Sequence, residues 1–242
     1  SLISSLYAMA QSLAKLSLPF EVYHGQLGDR ERRAAQERFL ESSSALMLAT
    51  PAFGLGVDKS NVRQVVHCEV PSSLEAYFQE IGRAGRDQDS SLCTLMYDPD
   101  DVSIQMDFLK WANPDADFIR RVFRLIEDNP LRVRSEGENF LRDQMNFYNS
   151  RDFRVETAVN LLRSWDVLEG WSVRGALDEE LLAQELRAVR SKRQNEKLLQ
   201  VVNWVQERDA CRMAQIYGYF GETRLSEAEG YRCGVCDNCQ RA

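Results

Sequence analysis

Short apolar runs alternate with helical segments in the first part of the chain, and this alternation constrains the fold more than any other feature. Ala45–Ala49 is continuously apolar, and Val62–Cys68 and Leu92–Tyr97 are interpreted as two more such runs. A helical segment begins near Ser73, between the last two. Continuous apolar runs are typical of strands buried on both faces of a parallel sheet. The sequence therefore predicts an α/β domain with a parallel sheet.

The segment before these runs continues the same pattern. Ile3–Leu16 has helical spacing, Phe20–Tyr23 is predicted to be a short strand, and Asp29–Leu40 a charged amphipathic helix. The first helix has no strand before it, so we expect the chain to begin inside a domain. Cys68 and Cys93 lie in the strand-like runs and are expected in the core, since free cysteine is often buried.

Charge and composition limit the classes of function. The 242 residues carry a formal net charge of −7, which counts against wrapping nucleic acid by bulk electrostatics. It does not count against a motor that grips a few phosphates with local positive groups. No apolar run approaches the roughly 20 residues that cross a bilayer. We therefore expect no membrane partner and a cytoplasmic protein, associated with a bacterial nucleoid.

Gln79, Arg83 and Arg86 are expected on or at the end of one helix, and their spacing would put the three side chains on one face. Ser72 and Glu75 form a capping-box pattern just before, which predicts that helix. The opposite face carries apolar residues expected to point into the core: Leu74, Phe78 and Ile81. Two guanidinium groups presented together suit a triphosphate. A cluster of helix-end salt bridges is the alternative, and spacing alone does not separate the two.

Four of the six cysteines cluster near the C-terminus, at Cys211, Cys233, Cys236 and Cys239. Thiolates two residues apart can bind one metal ion, and a fourth thiolate closes a tetrahedral structural zinc site. An iron–sulfur cluster is the rival, but the cysteine-proline pair of bacterial ferredoxins is absent. In a reducing compartment such a cluster indicates metal instead of disulfides. The spacing favours zinc.

The middle of the chain changes character. One helical face is formed by apolar residues, namely Phe118, Ile119, Val122, Phe123 and Ile126. Ser135 with Glu138 predicts a helix start, Arg154–Ser164 a third helix, and Trp165–Val173 a hairpin turning at Gly170. Three helices and a hairpin favour a winged-helix-like module, and a generic helical spacer is the alternative. Trp165 and Trp171 are expected in the core.

A basic stretch precedes the cysteines, consisting of Arg187, Arg190, Lys192, Arg193 and Lys197. Such a run is commonly a solvated helix face, and DNA contact is the alternative. We predict three domains: an α/β domain over 1–110, a helical, winged-helix-like module over 111–185 and a zinc-binding subdomain over 186–242.

Three motifs resemble those of superfamily 2 helicases, in the form found in the RecQ family. Gln79–Arg86 resembles motif VI, Ala49–Lys59 resembles motif V, and Tyr23–Gly25 resembles motif IV. Tyr219–Glu222 and the cysteines resemble the RecQ zinc-binding subdomain. Gln88 stands where the family usually has glycine. The resemblance implies the C-terminal part of a RecQ-family helicase, with a second RecA-like motor domain and a zinc module.

The resemblance also implies roles for individual residues. The catalytic residues would be Arg86, Arg83 and Gln79, with Arg86 reaching a γ-phosphate. The nucleotide would be bound by Gly56, Asp58, Arg83 and Arg86. DNA would be contacted by His24, Thr50, Lys59, Arg190 and Arg193. For His24, positioning of the backbone is as plausible as direct contact. The family's zinc subdomain includes a basic helical hairpin, and Leu186–Cys211 is interpreted as that hairpin.

The parent implied by the resemblance is an ATP-dependent 3′-to-5′ DNA helicase acting on single-stranded or partly duplex DNA. ATP and Mg²⁺ would bind between this half and an N-terminal motor domain that is missing from this sequence. The chain has no G-x-x-x-x-G-K-[ST] phosphate loop, so we expect it to be inactive alone. A non-catalytic zinc and nucleic-acid-binding module is the alternative. Another superfamily 2 translocase, such as an RNA helicase, is a narrower one.

Overall fold

The computed structural model describes residues 3–54, 57–145, 152–182, 185–222 and 231–241. In chain order the helices and strands are α1 (Ile3–Lys15), β1 (Phe20–Tyr23), α2 (Asp29–Glu41), β2 (Leu46–Ala49), β3 (Gln64–His67), α3 (Leu74–Ile81), β4 (Leu92–Leu95), α4 (Asp100–Ala112), α5 (Ala116–Asp128), α6 (Pro130–Glu136), α7 (Glu138–Gln144), α8 (Arg154–Ser164), β5 (Leu168–Glu169), β6 (Ser172–Val173), α9 (Glu179–Leu182), α10 (Glu185–Gln206), α11 (Arg212–Tyr219) and α12 (Asp237–Arg241).

The chain divides into two compact units. The first, called here the α/β unit, joins Ser1–Asp98 to Asp209–Ala242, and the second, the helical unit, is Pro99–Arg208. The cysteine cluster therefore belongs to the same unit as the three helicase-like motifs. The predicted domain limits at residues 110 and 185 stay predictions. None of the helices in the described ranges is long and apolar enough to cross a bilayer.

The α/β unit contains two strand–helix–strand repeats. β1 pairs in parallel with β2, with Phe20 opposite Leu46, and α2 connects them. β3 pairs in parallel with β4, with Gln64 opposite Leu92, and α3 connects them. Parallel neighbours need such a crossover connection. The predicted α/β class with parallel strands is confirmed, and the described strands form two separate two-stranded sheets.

The prediction that these strands are buried on both faces is wrong. Leu46 is 39% exposed, Val66 49% and Leu92 59%. Each sheet is two strands wide, so a strand has one neighbour instead of two to cover its side chains. The same effect explains the cysteines: Cys68, just after β3, is exposed, and Cys93 in β4 is half-buried. Their predicted place in the core is therefore not observed.

The helical unit has a continuous core around α5, α7 and α8, which pack on one another. The antiparallel pair β5 and β6 packs against α8 and α5. Gly170 begins the tight turn with φ 59°, a conformation that glycine adopts without strain. Three helices and a hairpin are present, and their interpretation as a winged-helix-like module stays a prediction. The predicted helix start at Ser135 is wrong: its hydroxyl bonds Leu131 O inside α6.

α4 and α10 pack together although more than 70 residues of sequence separate them. The amide of Asn113, at the end of α4, donates to Gln194 Oε1 at 2.9 Å. The prediction that Leu186–Cys211 forms a hairpin by itself is wrong, because Glu185–Gln206 is one helix. α4 and α10 instead pack on each other, and the module from α5 to α9 lies between them in the sequence.

Candidate nucleotide, DNA and metal sites

The guanidinium of Arg86 lies against the segment that follows β2. Its Nη1 donates to Asp58 Oδ1 at 2.8 Å and to Val57 O at 3.3 Å. Its Nε donates to Gly82 O at 3.3 Å. The Arg86 side chain is 38% exposed and that of Asp58 is 89% exposed. The structure thus brings together two residues, one from each motif, that the sequence analysis assigned to a nucleotide site.

Both arginines lie beyond the end of α3, which stops at Ile81. We call Gly82–Gln88 the arginine turn. The prediction that one helical face carries Gln79, Arg83 and Arg86 is therefore wrong for the arginines. The cap is Ser73, whose Oγ accepts from Ala76 N at 3.1 Å, one residue after the predicted position.

The apolar face of α3 also differs from the expectation. Leu74 is buried as predicted, but Tyr77 is buried with it, while Phe78 is 39% exposed. Burial raises the pKa of Tyr77 to about 12. Gln79 is exposed on the same helix and Arg83 is half-buried.

The arginine turn is fixed to the residues that precede β3. Gly85 N donates to Val62 O at 3.0 Å, and Gly85 has φ 63°. A Cβ on Gly85 would lie 2.8 Å from Ser91 Oγ, so only glycine fits there. Gln88 has φ 70°, which strains a residue other than glycine. This is the position where the resembled family usually has glycine.

Arg63 anchors the same turn by its side chain. Its two Nη atoms bind the Asp87 carboxylate, Nη1 to Oδ1 at 2.9 Å, and Nη2 also reaches Asp89 Oδ2 at 3.2 Å. The hydrogen bond from Arg63 lowers the pKa of Asp87 to about 2. Sequence reasoning missed Arg63. Only the pairing of β3 with β4, which brings residues 63 and 92 together, signals it.

His24 and Thr50 follow the paired strands β1 and β2, at their carboxyl ends. Thr50 N donates to Tyr23 O at 3.1 Å, so this N–H is not available to a phosphate and the hydroxyl is the remaining donor. His24 is only 4% exposed, and its Nε2 bonds the Tyr7 hydroxyl at 2.9 Å. This burial favours the positioning role for His24 over direct contact with DNA.

Lys59 is bound by the end of α2. Its ammonium donates to Ser42 O at 2.7 Å and Leu40 O at 3.1 Å, and lies 5.4 Å from the Phe39 ring centroid. A cation is favoured at a helix C-terminus, because the last carbonyl groups have no partners within the helix. Its predicted contact with DNA stays a prediction.

The remaining residues predicted to bind DNA or nucleotide are Arg193, Arg190 and Gly56. Arg193 is exposed on α10, one residue after Lys192, which pairs with Glu196 at 3.9 Å. The side chain of Arg190 and the whole of Gly56 lie outside the described residues. His67, the last residue of β3, has its Nε2 2.7 Å from Glu80 Oε2.

The four cysteines form a compact cluster. One ligand atom of each lies within 4.8 Å of all the others, and Cys211 is buried. Sulfurs bound to one zinc ion at about 2.3 Å stand about 3.8 Å apart in a tetrahedron. Cys233 Sγ and Cys239 Sγ are 3.9 Å apart. A multi-iron cluster would spread its ligands more widely. The donor set therefore fits one structural zinc ion.

Backbone and charged groups hold the cysteines in place. Cys233 N points to Cys211 Sγ at 3.3 Å, and Cys236 N points to Cys233 Sγ at 3.3 Å. Such N–H donors stabilise thiolates. The intervening turn needs Gly234, which has φ 74°. Arg212 Nε pairs with Asp237 Oδ1 at 3.0 Å, and this hydrogen bond lowers the pKa of Asp237.

Parallel strand pairs with an arginine turn, in one unit with a four-thiolate cluster, define a helicase-type domain carrying a zinc module. Family comparisons agree. Residues 2–88 match the helicase conserved C-terminal domain, and residues 174–240 match the RecQ zinc-binding family. The chain is similar to the C-terminal part of RecQ-family helicases, as the sequence predicted.

Several curated relatives are similar over parts of the chain. ATP-dependent DNA helicase RecQ of Bacillus subtilis is 51% identical over 83 residues, 34% of this chain and 14% of that protein. Probable ATP-dependent DNA helicase RecS of the same organism is 29% identical over 226 residues, 93% of this chain and 42% of that protein. The mouse bifunctional 3′-5′ exonuclease/ATP-dependent helicase WRN is 40% identical over 97 residues, 40% of this chain and 7% of that protein. The chain spans less than half the length of these relatives.

Proposed function

We propose that this chain is the C-terminal half of an ATP-dependent 3′-to-5′ DNA helicase. The observation that carries the proposal is the contact between Arg86 and Asp58, with 2.8 Å between Nη1 and Oδ1. It joins motif V to motif VI at one exposed point. The relatives, described as ATP-dependent DNA helicases, support it.

In this proposal Arg86 stabilises the charge that develops on the γ-phosphate of ATP. Besides two carbonyl groups at 3.3 Å, its charged partner is the highly exposed carboxylate of Asp58, and such ion pairs contribute at most about 1 kcal/mol. A triphosphate held by a separate motor domain therefore competes easily for the guanidinium. An arginine supplied in this way raises the rate about 10³–10⁵-fold in the best-studied enzymes. Arg83 and Gln79 assist, and Mg²⁺ and the phosphate loop belong to the other motor domain.

DNA is proposed to pass the carboxyl ends of β1 and β2, where ligands of parallel sheets bind. The hydroxyl of Thr50 is the proposed phosphate donor, and buried His24 positions its neighbourhood. Arg193, exposed on α10, offers a second positive contact. With genomic DNA as its partner, the protein would act at the nucleoid. A zinc ion would supply no chemistry to the reaction; it would cross-link the two cysteine-bearing segments, Cys211 and residues 233–239.

Single-stranded-DNA-stimulated ATP hydrolysis by the full-length parent tests this proposal. Arg86→Ala is compared with wild type and with Arg121→Ala, an exposed arginine on α5. We expect Arg86→Ala to fold and bind DNA but to lose at least about 10³-fold in rate, and Arg121→Ala to stay active. Retained turnover in Arg86→Ala would remove the arginine from the mechanism. The 242-residue chain alone should show no hydrolysis.

A non-catalytic zinc and nucleic-acid-binding module is the second candidate, because this sequence has no phosphate loop of its own. The same experiment separates the two. A wild-type parent that binds DNA without any stimulated hydrolysis supports the binding module. Stimulated hydrolysis that depends on Arg86 excludes it.

A further inference from the structure

The helix that leads into the arginine turn packs against the helix that leads out of the cysteine cluster. α3 contacts α11 within the α/β unit. The rings of Phe78 on α3 and Phe220, at the end of α11, have centroids 5.2 Å apart with a tilt of 50°. Aromatic pairs in this range stabilise beyond the area they bury.

Tyr219 adds a polar contact between the same helices. Its hydroxyl hydrogen-bonds Glu75 in the first turn of α3, and burial together with this bond raises the pKa of Tyr219 to about 12. Tyr219 also packs edge-on against Phe220, with centroids 5.2 Å apart. Tyr219 and the adjacent C-cap residue Phe220 therefore contact α3 at two positions one helical turn apart, Glu75 and Phe78.

The other end of α11 is part of the metal site. Cys211 is its N-cap residue, and Arg212 in its first turn pairs with Asp237, which lies between Cys236 and Cys239. α11 has eight residues, about 12 Å of helix. So short a helix is marginal alone, and its position depends on what holds its ends.

α3 passes directly into the arginine turn through backbone hydrogen bonds. Gly82 N donates to Phe78 O at 3.0 Å and Ala84 N donates to Ile81 O at 3.0 Å. Displacement of the last turn of α3 would therefore move the backbone that carries Arg83 and Arg86. The chain of contacts runs from the thiolates through α11 and Phe220 to this turn.

We propose that Tyr219 and Phe220 are positioning residues through which the zinc-bound cluster orders the arginine turn. Zinc then has a second effect besides closing its own loop: it restricts the two arginines on which the proposed function rests. The consequence for ATP depends on that function. The coupling between metal and turn does not, and it is measurable in this chain without nucleotide.

Hydrogen exchange of the zinc-loaded chain tests the coupling. Exchange is followed by mass spectrometry in peptides covering 74–88, with 29–41 in α2 as the internal reference. Chelation of zinc should raise exchange in 74–88 about fivefold or more beyond any rise in 29–41, which reports destabilisation of the whole unit. Phe220→Ala, with zinc content verified, should show the same increase before chelation and little more after it. Tyr219→Phe should show a smaller increase.

Control variants separate the contact from general destabilisation. Phe153→Ala removes an equally exposed ring, 49% against 48% for Phe220, from the helical unit and should change nothing in 74–88. Phe220→Tyr keeps the ring and should retain slow exchange. Should Phe220→Ala lose its zinc, Phe220→Leu replaces it under the same criteria. Unchanged exchange in 74–88, after chelation or in a zinc-loaded ring deletion, would overturn the proposal while leaving Arg86 to the hydrolysis assay.

Discussion

The helical unit and the α/β unit are stabilised in different ways. In the helical unit, one cluster contains sixteen buried apolar residues, including Ile119, Phe140 and Leu162. In the α/β unit, α1, β1 and β2 enclose a cluster with Leu6, Ala10 and Leu48 buried, and several strand residues stay exposed. Among the residues that the structure describes, the unit proposed to act on ATP has fewer buried apolar side chains than the helical unit.

Polar contacts and thiolates replace apolar packing around the arginine turn. Arg63 holds Asp87, Lys59 holds the end of α2, and four cysteines gather the C-terminal segment. Each of these contacts depends on charge, protonation or metal, whereas burial of apolar area does not. The difference implies that metal and pH act on the α/β unit and core substitutions on the helical unit.

The largest expected effect is loss of a zinc ligand. Cys236→Ser should lower zinc from about one ion per chain to none and destabilise the α/β unit by about 4 kcal/mol. All four tryptophans lie in the helical unit, so their fluorescence follows that unit alone. We expect the fluorescence-detected unfolding midpoint to stay unchanged. Cys68→Ser, outside the cluster, is the control and should keep its zinc. If Cys236→Ser destabilised the helical unit, followed by tryptophan fluorescence, as much as the α/β unit, the two units would not differ in their dependence on zinc.

The converse substitution is in the core of the helical unit. Leu162→Ala should destabilise that unit by about 3 kcal/mol, because it removes a fully buried side chain and leaves a cavity. The measurement is urea unfolding followed by tryptophan fluorescence, with zinc release followed in parallel. Leu131→Ala, at a residue 79% exposed, should change stability by less than about 0.5 kcal/mol. Zinc release at the same urea concentration as in wild type would show that the two units unfold independently.

A smaller effect is expected in the arginine turn. Gln88→Gly should stabilise the α/β unit by up to about 1 kcal/mol, because Gln88 has a positive φ. Gln79→Gly, at an exposed position of α3, should destabilise the α/β unit by about 1 kcal/mol. Urea unfolding by far-ultraviolet circular dichroism, with the tryptophan transition subtracted, gives both values. If Gln88→Gly also lowered the free energy of unfolding, as Gln79→Gly should, backbone strain at Gln88 would be unimportant.

The smallest effect is a titration. Carbon-detected NMR should give the Asp87 carboxyl a midpoint of about 2, below the usual 3.9 or so. Since the folded pKa is lowered, the contact's contribution is present above about pH 4 and is lost as the pH falls towards 2. Arg63→Met should return the midpoint to its usual range. Arg32→Met, in α2, is the control and should leave the Asp87 midpoint unchanged. An Asp87 midpoint that does not rise in Arg63→Met would show that Arg63 does not lower this pKa.

Local patterns predicted much of the secondary structure. Phe20–Tyr23 and Arg154–Ser164 match the observed strand and helix by residue, and the glycine at 170 marked the hairpin turn. The cysteine spacing indicated a site whose sulfurs the structure brings within ligand distance. In each case the physical cause lies within a few neighbouring residues, which is the range over which spacing is informative.

Long-range contacts account for what the sequence did not reveal. α3 ends at Ile81 because the following backbone bonds Val62, a partner that helical spacing does not show. The N–H of Thr50 donates to Tyr23 O in the neighbouring strand. α4 packs against α10, although the module from α5 to α9 separates them in the sequence. Each outcome depends on residues at least twenty positions apart, for which no periodicity gives a signal.

The pairing of α4 with α10 makes the inserted module separable from its host. Asn113, at the end of α4, contacts Gln194 inside α10, so the chain that leaves α4 returns along α10 to the same place, and closing a shorter loop there costs little. A gene can therefore acquire, exchange or discard the residues between the two helices without redesigning the helices themselves. Relatives that share the flanking segments are free to differ in what they present beyond this helix pair.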